Sequence, residues 1–108
     1  MNQKLIETYW SRIYIAGDFN KARDVCRNFC FVKGLCVNVT KNNYIYTGGE
    51  ETGVIVEIIN YPRYPLTKEE IDESTYDLGL KLRDQLCQDS FTVVNPDNTF
   101  WISSRSDI

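Results

Sequence analysis

The sequence predicts an α+β fold in which an antiparallel sheet packs against two helices. Segments rich in β-branched and aromatic residues alternate with two amphipathic helical patterns, and short turn sequences separate them. The chain has 108 residues, which is the usual size of one domain. We therefore expect a single domain over residues 1–108, with an ordered core over about 9–103.

The first strand and first helix are predicted from the N-terminal third of the chain. Residues 10–16 carry aliphatic side chains at alternate positions, as a strand does, and a short helical or frayed lead-in precedes them over residues 1–8. Asp18 suits a helix N-cap, because its carboxylate can accept from free N–H groups of the first turn. The buried face of the helix is predicted from residues at i, i+3, i+4 and i+7: Ala22, Val25, Cys26 and Phe29. Gly34 is expected to end this helix.

The middle of the chain predicts a β-hairpin. A strand over residues 35–40 is followed by a bulge or turn at 41–43, and residues 44–46 continue that strand or begin another. Residues 53–60 form the most hydrophobic strand and are expected to lie centrally in the sheet. Between the strands, Gly48 and Gly49 favour a tight turn.

The second helix has a clear predicted start. Thr67 and Glu70 are spaced as a capping box, and Leu66 and Ile71 are spaced as a hydrophobic staple. One helical face then continues to about residue 87 through Ile71, Thr75, Leu78, Leu82 and Leu86. Strands are predicted over residues 90–95 and 99–103, with a turn at 96–98 and a disordered tail over 104–108. The resulting order is a ferredoxin-like β-α-β-β-α-β sandwich with an extra C-terminal strand.

Composition and charge narrow the possible functions. The net charge of −3 argues against nucleic acid as a partner, because affinity for nucleic acid depends on neutralised phosphates. No apolar run is long enough to cross a membrane, and the N-terminal residues do not resemble a signal peptide. A cytoplasmic protein with reduced cysteines is expected.

The sequence also restricts the available chemistry. It contains no histidine, which excludes Ser-His-Asp and Cys-His mechanisms and His-ligated zinc. The spacing of its four cysteines matches no common metal-ligand set, so they are expected to be structural. The sequence identifies no cofactor.

The segment Gly48-Gly49-Glu50-Glu51 resembles the signature hairpin of diguanylate cyclases. The resemblance implies that the glycines let the backbone approach a nucleotide and that a carboxylate helps to bind magnesium. Asp18 follows the first strand, where that family has a metal-binding aspartate. One hypothesis is therefore a metal-dependent enzyme that acts on a nucleotide or phosphate ester through Asp18, Glu50 and Glu51. The alternative interpretation of this segment is a plain hairpin turn.

A second resemblance covers the middle of the chain. Residues 36–38, followed by Tyr44, Tyr46, a hairpin and a strand with Glu57, resemble CutA proteins, which are small ferredoxin-like trimers related in shape to PII signalling proteins. This resemblance implies the fold and a tendency to form homo-oligomers. The chain also resembles small phage or prophage accessory proteins in its general character.

The leading functional expectation is a non-enzymatic binding or regulatory module rather than an enzyme. Its expected ligand is a small molecule, for which a nucleotide is one option, in a cleft between subunits. The expected ligand-binding residues are Tyr46, Gly48, Gly49, Arg63 and Tyr64. The last two lie in the loop at 61–65, which two prolines stiffen, and there an arginine and tyrosines suit stacking and contact with an acidic group. A third hypothesis is a phage-type inhibitor whose acidic helix at 67–77 docks on a basic protein partner.

Overall fold

The computed structural model describes residues 1–105, and within them it contains five strands and two helices. The elements are β1 (Trp10–Ala16), α1 (Phe19–Lys33), β2 (Asn38–Tyr46), β3 (Gly49–Ile59), α2 (Lys68–Gln85), β4 (Ser90–Val94) and β5 (Thr99–Ser103). The strands form one antiparallel sheet in the order β2-β3-β1-β4-β5. This order confirms the ferredoxin-like α+β sandwich, with β5 added beside β4.

Strand β3 lies between β1 and β2 and pairs with both along most of its length. Successive side chains of a strand point to opposite faces of the sheet. Val54, Val56 and Ile58 are at most 1% exposed and lie on the face that the helices cover. Ile55 and Glu57, which alternate with them, therefore lie on the opposite face, which no helix covers in residues 1–105. We call this second face the open face of the sheet.

Both helices begin and pack as their sequences predict. The Asp18 carboxylate accepts from the Lys21 backbone N–H at 2.9 Å. At the start of α2 the Thr67 hydroxyl accepts from the Glu70 N–H at 3.1 Å, and the Glu70 carboxylate accepts from the Thr67 N–H at 3.0 Å, which confirms the capping box. The predicted helix faces are buried in the core at Ala22, Cys26, Phe29, Ile71, Thr75, Leu78 and Leu82.

The hairpin differs from its sequence-based prediction. Strand β2 begins at Asn38 and continues through residues 41–43, so the predicted strand start at residue 35 and the predicted bulge or turn are wrong. Strand β3 begins at Gly49, and only Thr47 and Gly48 form the turn, with φ of +84° at Gly48. The asparagines of β2 have low strand propensity, but their regular pairing with β3 outweighs it.

The ends of the chain also differ in part from the prediction. Residues 1–8 form no helix. The backbone N–H of Ser104 donates to the carbonyl of Asp89 at 2.9 Å, so the predicted tail is anchored where it begins. The expected disorder of residues 106–108 lies outside the described residues. Neither helix in the described part of the chain is long and apolar enough to cross a bilayer.

The four cysteines are free thiols in the structure. Cys26 is buried in the core, and its burial, with a smaller effect of Cys30, raises the pKa of its thiol to about 12. The Cys26 thiol therefore stays neutral near pH 7 and packs as a small apolar side chain, whereas Cys36 and Cys87 are exposed.

The described residues form an elongated body. The principal-axis extents are 52 × 28 × 24 Å, and the radius of gyration is 14.6 Å. A compact chain of this length would have a radius of gyration of about 13 Å. The long β2–β3 hairpin is consistent with this shape, because its tip pairs with no other strand.

The close contact between Gly79 of α2 and Phe91 of β4 gives a test of the core. A Cβ atom at Gly79 would overlap the Phe91 ring, which is 2% exposed. We expect Gly79→Ala to lower the free energy of unfolding by about 1–3 kcal/mol, although alanine is the better helix former. Urea denaturation measures this change.

Two further variants test whether the overlap with Phe91 causes the loss of stability. Phe91→Leu should recover part of the loss when it is combined with Gly79→Ala, because the smaller side chain leaves room for the new methyl group. Glu73→Ala, at an exposed position of the same helix, should change stability by less than about 0.5 kcal/mol. A Gly79→Ala protein as stable as the wild type would contradict the tight packing of α2 on β4.

Candidate functional site

The open face ends in a cleft beside the β2–β3 hairpin, which we call the hairpin cleft. In the sheet register Tyr44 lies opposite Glu51 and Tyr46 lies opposite Gly49. Two adjoining shallow hollows, of about 290 and 430 Å³, share Ala16, Glu51 and Gln88 in their walls. Other residues that line the hairpin cleft include Tyr14, Asp18, Tyr44, Tyr46, Ser90 and Thr92.

Two glycines determine where the tyrosine rings of the hairpin cleft lie. The Tyr46 ring packs over Gly49 and the Tyr44 ring packs over Gly53, and a Cβ atom at either glycine would overlap the ring. This close approach explains why glycine occurs at both positions inside a strand. The tyrosine rings therefore lie flat against the sheet.

Hydrogen bonds hold both phenol groups. The Tyr44 hydroxyl donates to the carbonyl of Val54 at 2.7 Å, and the Tyr46 hydroxyl donates to Glu51 Oε1 at 3.3 Å. Desolvation raises the pKa of Tyr44, and desolvation together with the charge of Glu51 raises the pKa of Tyr46. Both phenols are therefore neutral hydrogen-bond donors near pH 7.

The fixed charges of the hairpin cleft are all negative. Glu51 and Asp18 line it, and no lysine or arginine does so in the described part of the chain. Gln88 contributes a side-chain amide to the cleft. Its Nε2 group donates a hydrogen bond to the carbonyl of Leu86 at 3.3 Å, and this bond fixes the position of the amide. A cleft with carboxylates and aromatic rings and no basic residue attracts cations and neutral aromatic groups rather than phosphates.

The structure does not bring together the three carboxylates of the predicted metal site, Asp18, Glu50 and Glu51. The Asp18 carboxylate caps α1, and Glu50 and Glu51 are neighbours in β3, so their side chains point to opposite faces of the sheet. No group of three potential metal-ligating side chains occurs among residues 1–105. The alternation of side chains along β3 therefore separates two of the three proposed ligands.

The five residues expected to bind a ligand fall into two groups within one chain. Tyr46, Gly48 and Gly49 lie at the hairpin tip, whereas Arg63 and Tyr64 line a separate cavity at the other end of β3. The first and last residues of β3 are ten residue steps apart, which corresponds to about 33 Å. A single subunit does not bring the two groups together, and a role for either group in binding stays a prediction.

Tyr44 and Gln88 line the hairpin cleft but were not among the site residues predicted from the sequence, whereas Tyr46 was. Tyr44 and Tyr46 occur two residues apart in a strand, which signals that they share a face, and Gly53 marks a close approach inside a strand. Gln88 carries no such signal, because its position depends on the turn after α2, where Cys87 has a φ of +56°.

Two solved structures share the fold of this chain. One, described as a phage SAM lyase in the apo state, has a TM-score of 0.75 and 20% sequence identity, and the match covers 97% of each chain. The other, a phage SAM lyase in complex with S-methyl-5'-thioadenosine, has a TM-score of 0.64 and 18% identity, with 100% of this chain and 98% of that chain covered. No protein-family model and no curated protein sequence matches the chain.

These neighbours correct the functional expectation drawn from the sequence. Both are enzymes by description, which contradicts the expectation of a non-enzymatic binding or regulatory module and the preference for a protein that is not an enzyme. The resemblance to phage accessory proteins is supported, and the more specific resemblance to CutA and PII proteins is not. At identities of 20% and 18%, the likeness establishes the fold alone.

The capping role of Asp18 can be tested by measurements of stability. Asp18→Ala should lower the free energy of unfolding by about 1 kcal/mol, because a free N–H of the first turn of α1 loses its acceptor. Asp18→Ser should preserve most of the stability, since serine is also a good N-cap. Urea denaturation of both variants measures the difference, and equal losses for serine and alanine would contradict the capping role.

Proposed function

We propose that this protein is a lyase that cleaves S-adenosylmethionine and releases S-methyl-5'-thioadenosine, and that it binds this substrate in the hairpin cleft. The fold shared with two phage SAM lyases supports the reaction class. The observation that carries the assignment of the site is the lining of the cleft. It combines three tyrosines with Glu51 and Asp18, and no described lysine or arginine accompanies them.

The charge of the substrate matches this lining. S-adenosylmethionine carries a sulfonium, an ammonium and a single carboxylate, so its net charge is positive. Aromatic faces and carboxylates bind such cations, and a tyrosine ring also offers a stacking surface for adenine. A substrate with phosphate groups would instead require basic residues, which the described lining of the hairpin cleft does not provide.

The proposed reaction uses the electrons of the substrate itself. The bond between the sulfonium sulfur and the γ-carbon of the methionine part breaks, and its electron pair remains on sulfur, which leaves as a neutral thioether. Because a lyase adds no water, a carboxylate oxygen of the same substrate forms the new bond to the γ-carbon and closes a lactone. No proton is transferred in this step, and the ammonium keeps its charge.

The lining of the cleft is compatible with this attack. A lysine or arginine bound to the substrate carboxylate would stabilise it and reduce its nucleophilicity, and none lines the cleft in the described residues. We assign Glu51 to the ammonium group rather than to the sulfonium. A carboxylate against the sulfonium would stabilise the ground state more than the transition state, in which that charge disappears. The ammonium charge does not change, so its contact orients the substrate without such a cost.

Glu51 and Glu50 provide a matched pair of variants. Glu51→Gln should lower kcat/KM about 10- to 100-fold, mainly through KM, because it removes a charged contact that is equal in substrate and transition state. Glu50→Gln removes the same charge from the opposite face of β3, outside the cleft lining, and should leave kcat/KM within about twofold. Chromatography with mass spectrometry measures S-methyl-5'-thioadenosine and the four-carbon product.

Three outcomes would contradict the proposal at different points. A wild-type protein that releases no S-methyl-5'-thioadenosine would contradict the activity. Incorporation of ¹⁸O from labelled water into the first-formed four-carbon product would indicate a hydrolase rather than a lyase. Equal effects of the two glutamine variants would contradict the assignment of the hairpin cleft.

Self-association is a further part of the proposal. The open face carries Trp10, Tyr14 and Ile55, and Trp101 of β5 extends it with 47% of its surface exposed. The charged pair in this face is neutralised internally, since Arg12 Nε lies 2.6 Å from Glu57 Oε2. A second copy of the chain could cover such a face without leaving a buried unpaired charge.

A cytoplasmic location and a phage origin also remain part of the proposal.

Native mass spectrometry tests the homo-oligomer. Trp101→Ser should shift the protein toward monomer, because it removes an exposed aromatic side chain from the proposed contact. Tyr76→Ser, which removes an aromatic side chain with 42% exposure from helix α2, should leave the distribution unchanged. A wild-type protein that is monomeric at micromolar concentration would contradict self-association and would leave the proposed reaction unaffected.

A further inference from the structure

A second cavity lies at the opposite end of β3 from the hairpin cleft, and we call it the distal cavity. It has a volume of about 410 Å³, which falls in the range of small-molecule sites. Much of its wall is apolar and consists of Leu35, Ile58, Ile59 and Leu66. No part of the proposed lyase reaction uses this cavity.

The loop that closes the distal cavity is held in place by several contacts. The Asn60 side chain accepts from the Leu66 N–H at 2.9 Å and donates to the carbonyl of Glu7 at 2.8 Å. The Tyr64 N–H donates to the Tyr61 carbonyl at 3.1 Å, and Pro62 lies between these two tyrosines. A preformed cavity can bind a ligand without the entropic cost of ordering a loop.

Phenol and guanidinium groups lie among the apolar walls. The Tyr61 hydroxyl accepts from Asn38 Nδ2 at 3.1 Å, so a hydrogen bond from β2 holds its ring. The Tyr64 ring is 70% exposed and lies 5.4 Å from the Arg63 guanidinium. These contacts leave the ring of Tyr64 accessible from solvent beside the cavity.

Arg63 determines the charge of the distal cavity. It is the one charged residue that lines the cavity in the described structure, and it forms no ion pair with a carboxylate within residues 1–105. A guanidinium binds a carboxylate or sulfonate through paired N–H groups. The electrostatic character is therefore opposite to that of the hairpin cleft, which has carboxylates and no described basic lining residue.

We propose that the distal cavity binds a second small molecule, an apolar monoanion such as an aliphatic or aromatic carboxylate. Its apolar part contacts the partly exposed Leu35 and Leu66, and its acidic group pairs with Arg63. Arginine at the cavity supplies the charge complementarity, and a single guanidinium matches one acidic group. This site is separate from the proposed lyase site and does not depend on that reaction.

Two fluorescent probes of the same shape test the proposal on the full-length chain. The anion 1-anilinonaphthalene-8-sulfonate should bind saturably with one site per chain, and decanoate should displace it. N-phenyl-1-naphthylamine has the same rings without the sulfonate and reports the apolar contribution alone. Arg63→Gln should raise the Kd of the anionic probe about tenfold or more and change that of the neutral probe less than about twofold.

Two controls make the result specific. Lys81→Gln removes a positive charge from an exposed position of α2 outside the cavity lining and should leave both Kd values unchanged. Ile59→Trp places a larger side chain in the cavity wall and should weaken both probes, with circular dichroism checking that the protein is folded. Anionic-probe binding that is unchanged by Arg63→Gln, or the absence of saturable binding, would overturn the proposal. Lyase activity is not part of this measurement, so either proposal can fail without the other.

Discussion

Hydrogen bonding along both edges of β3 is the constraint on which the rest of the structure depends. The strand pairs with β1 on one side and with β2 on the other, and its core-facing side chains at Val54 and Val56 have no exposed surface. A shift of one residue in this register would exchange the two faces and expose those side chains to water. The same register fixes Glu51 beside Tyr44 and turns Glu50 away. The apolar core thereby determines the arrangement of polar groups in the hairpin cleft.

The two ends of β3 have opposite electrostatic character. The hairpin cleft contains Glu51 and the distal cavity contains Arg63, and the two regions share no lining residue. This separation explains why a single ligand in contact with both groups does not fit one subunit. For a cationic substrate, the absence of described basic residues from the cleft matters as much as the presence of the carboxylate, because it leaves the substrate carboxylate free of a competing partner.

Much of the fold could be predicted from local sequence, and the site could be predicted only in part. The boundaries of β1 and β5, the capping box at Thr67 and the core face of α2 follow from short-range patterns that the tertiary structure preserves. The course of β2 through residues 41–43 could not be predicted in this way, since its asparagines are poor strand formers and only pairing with β3 makes them extended. Glu50 and Glu51 looked equivalent in the sequence, and knowledge of where β3 begins was needed to separate them.

The elongated shape of the chain has a practical consequence for measurements of mass. A body with extents of 52 × 28 × 24 Å diffuses more slowly than a sphere of the same 12.6 kDa, because its frictional drag is greater. On a gel-filtration column calibrated with globular standards, a single chain would therefore elute early and resemble a larger particle. Static light scattering measures molar mass without such a calibration, so it distinguishes an elongated monomer from a compact dimer.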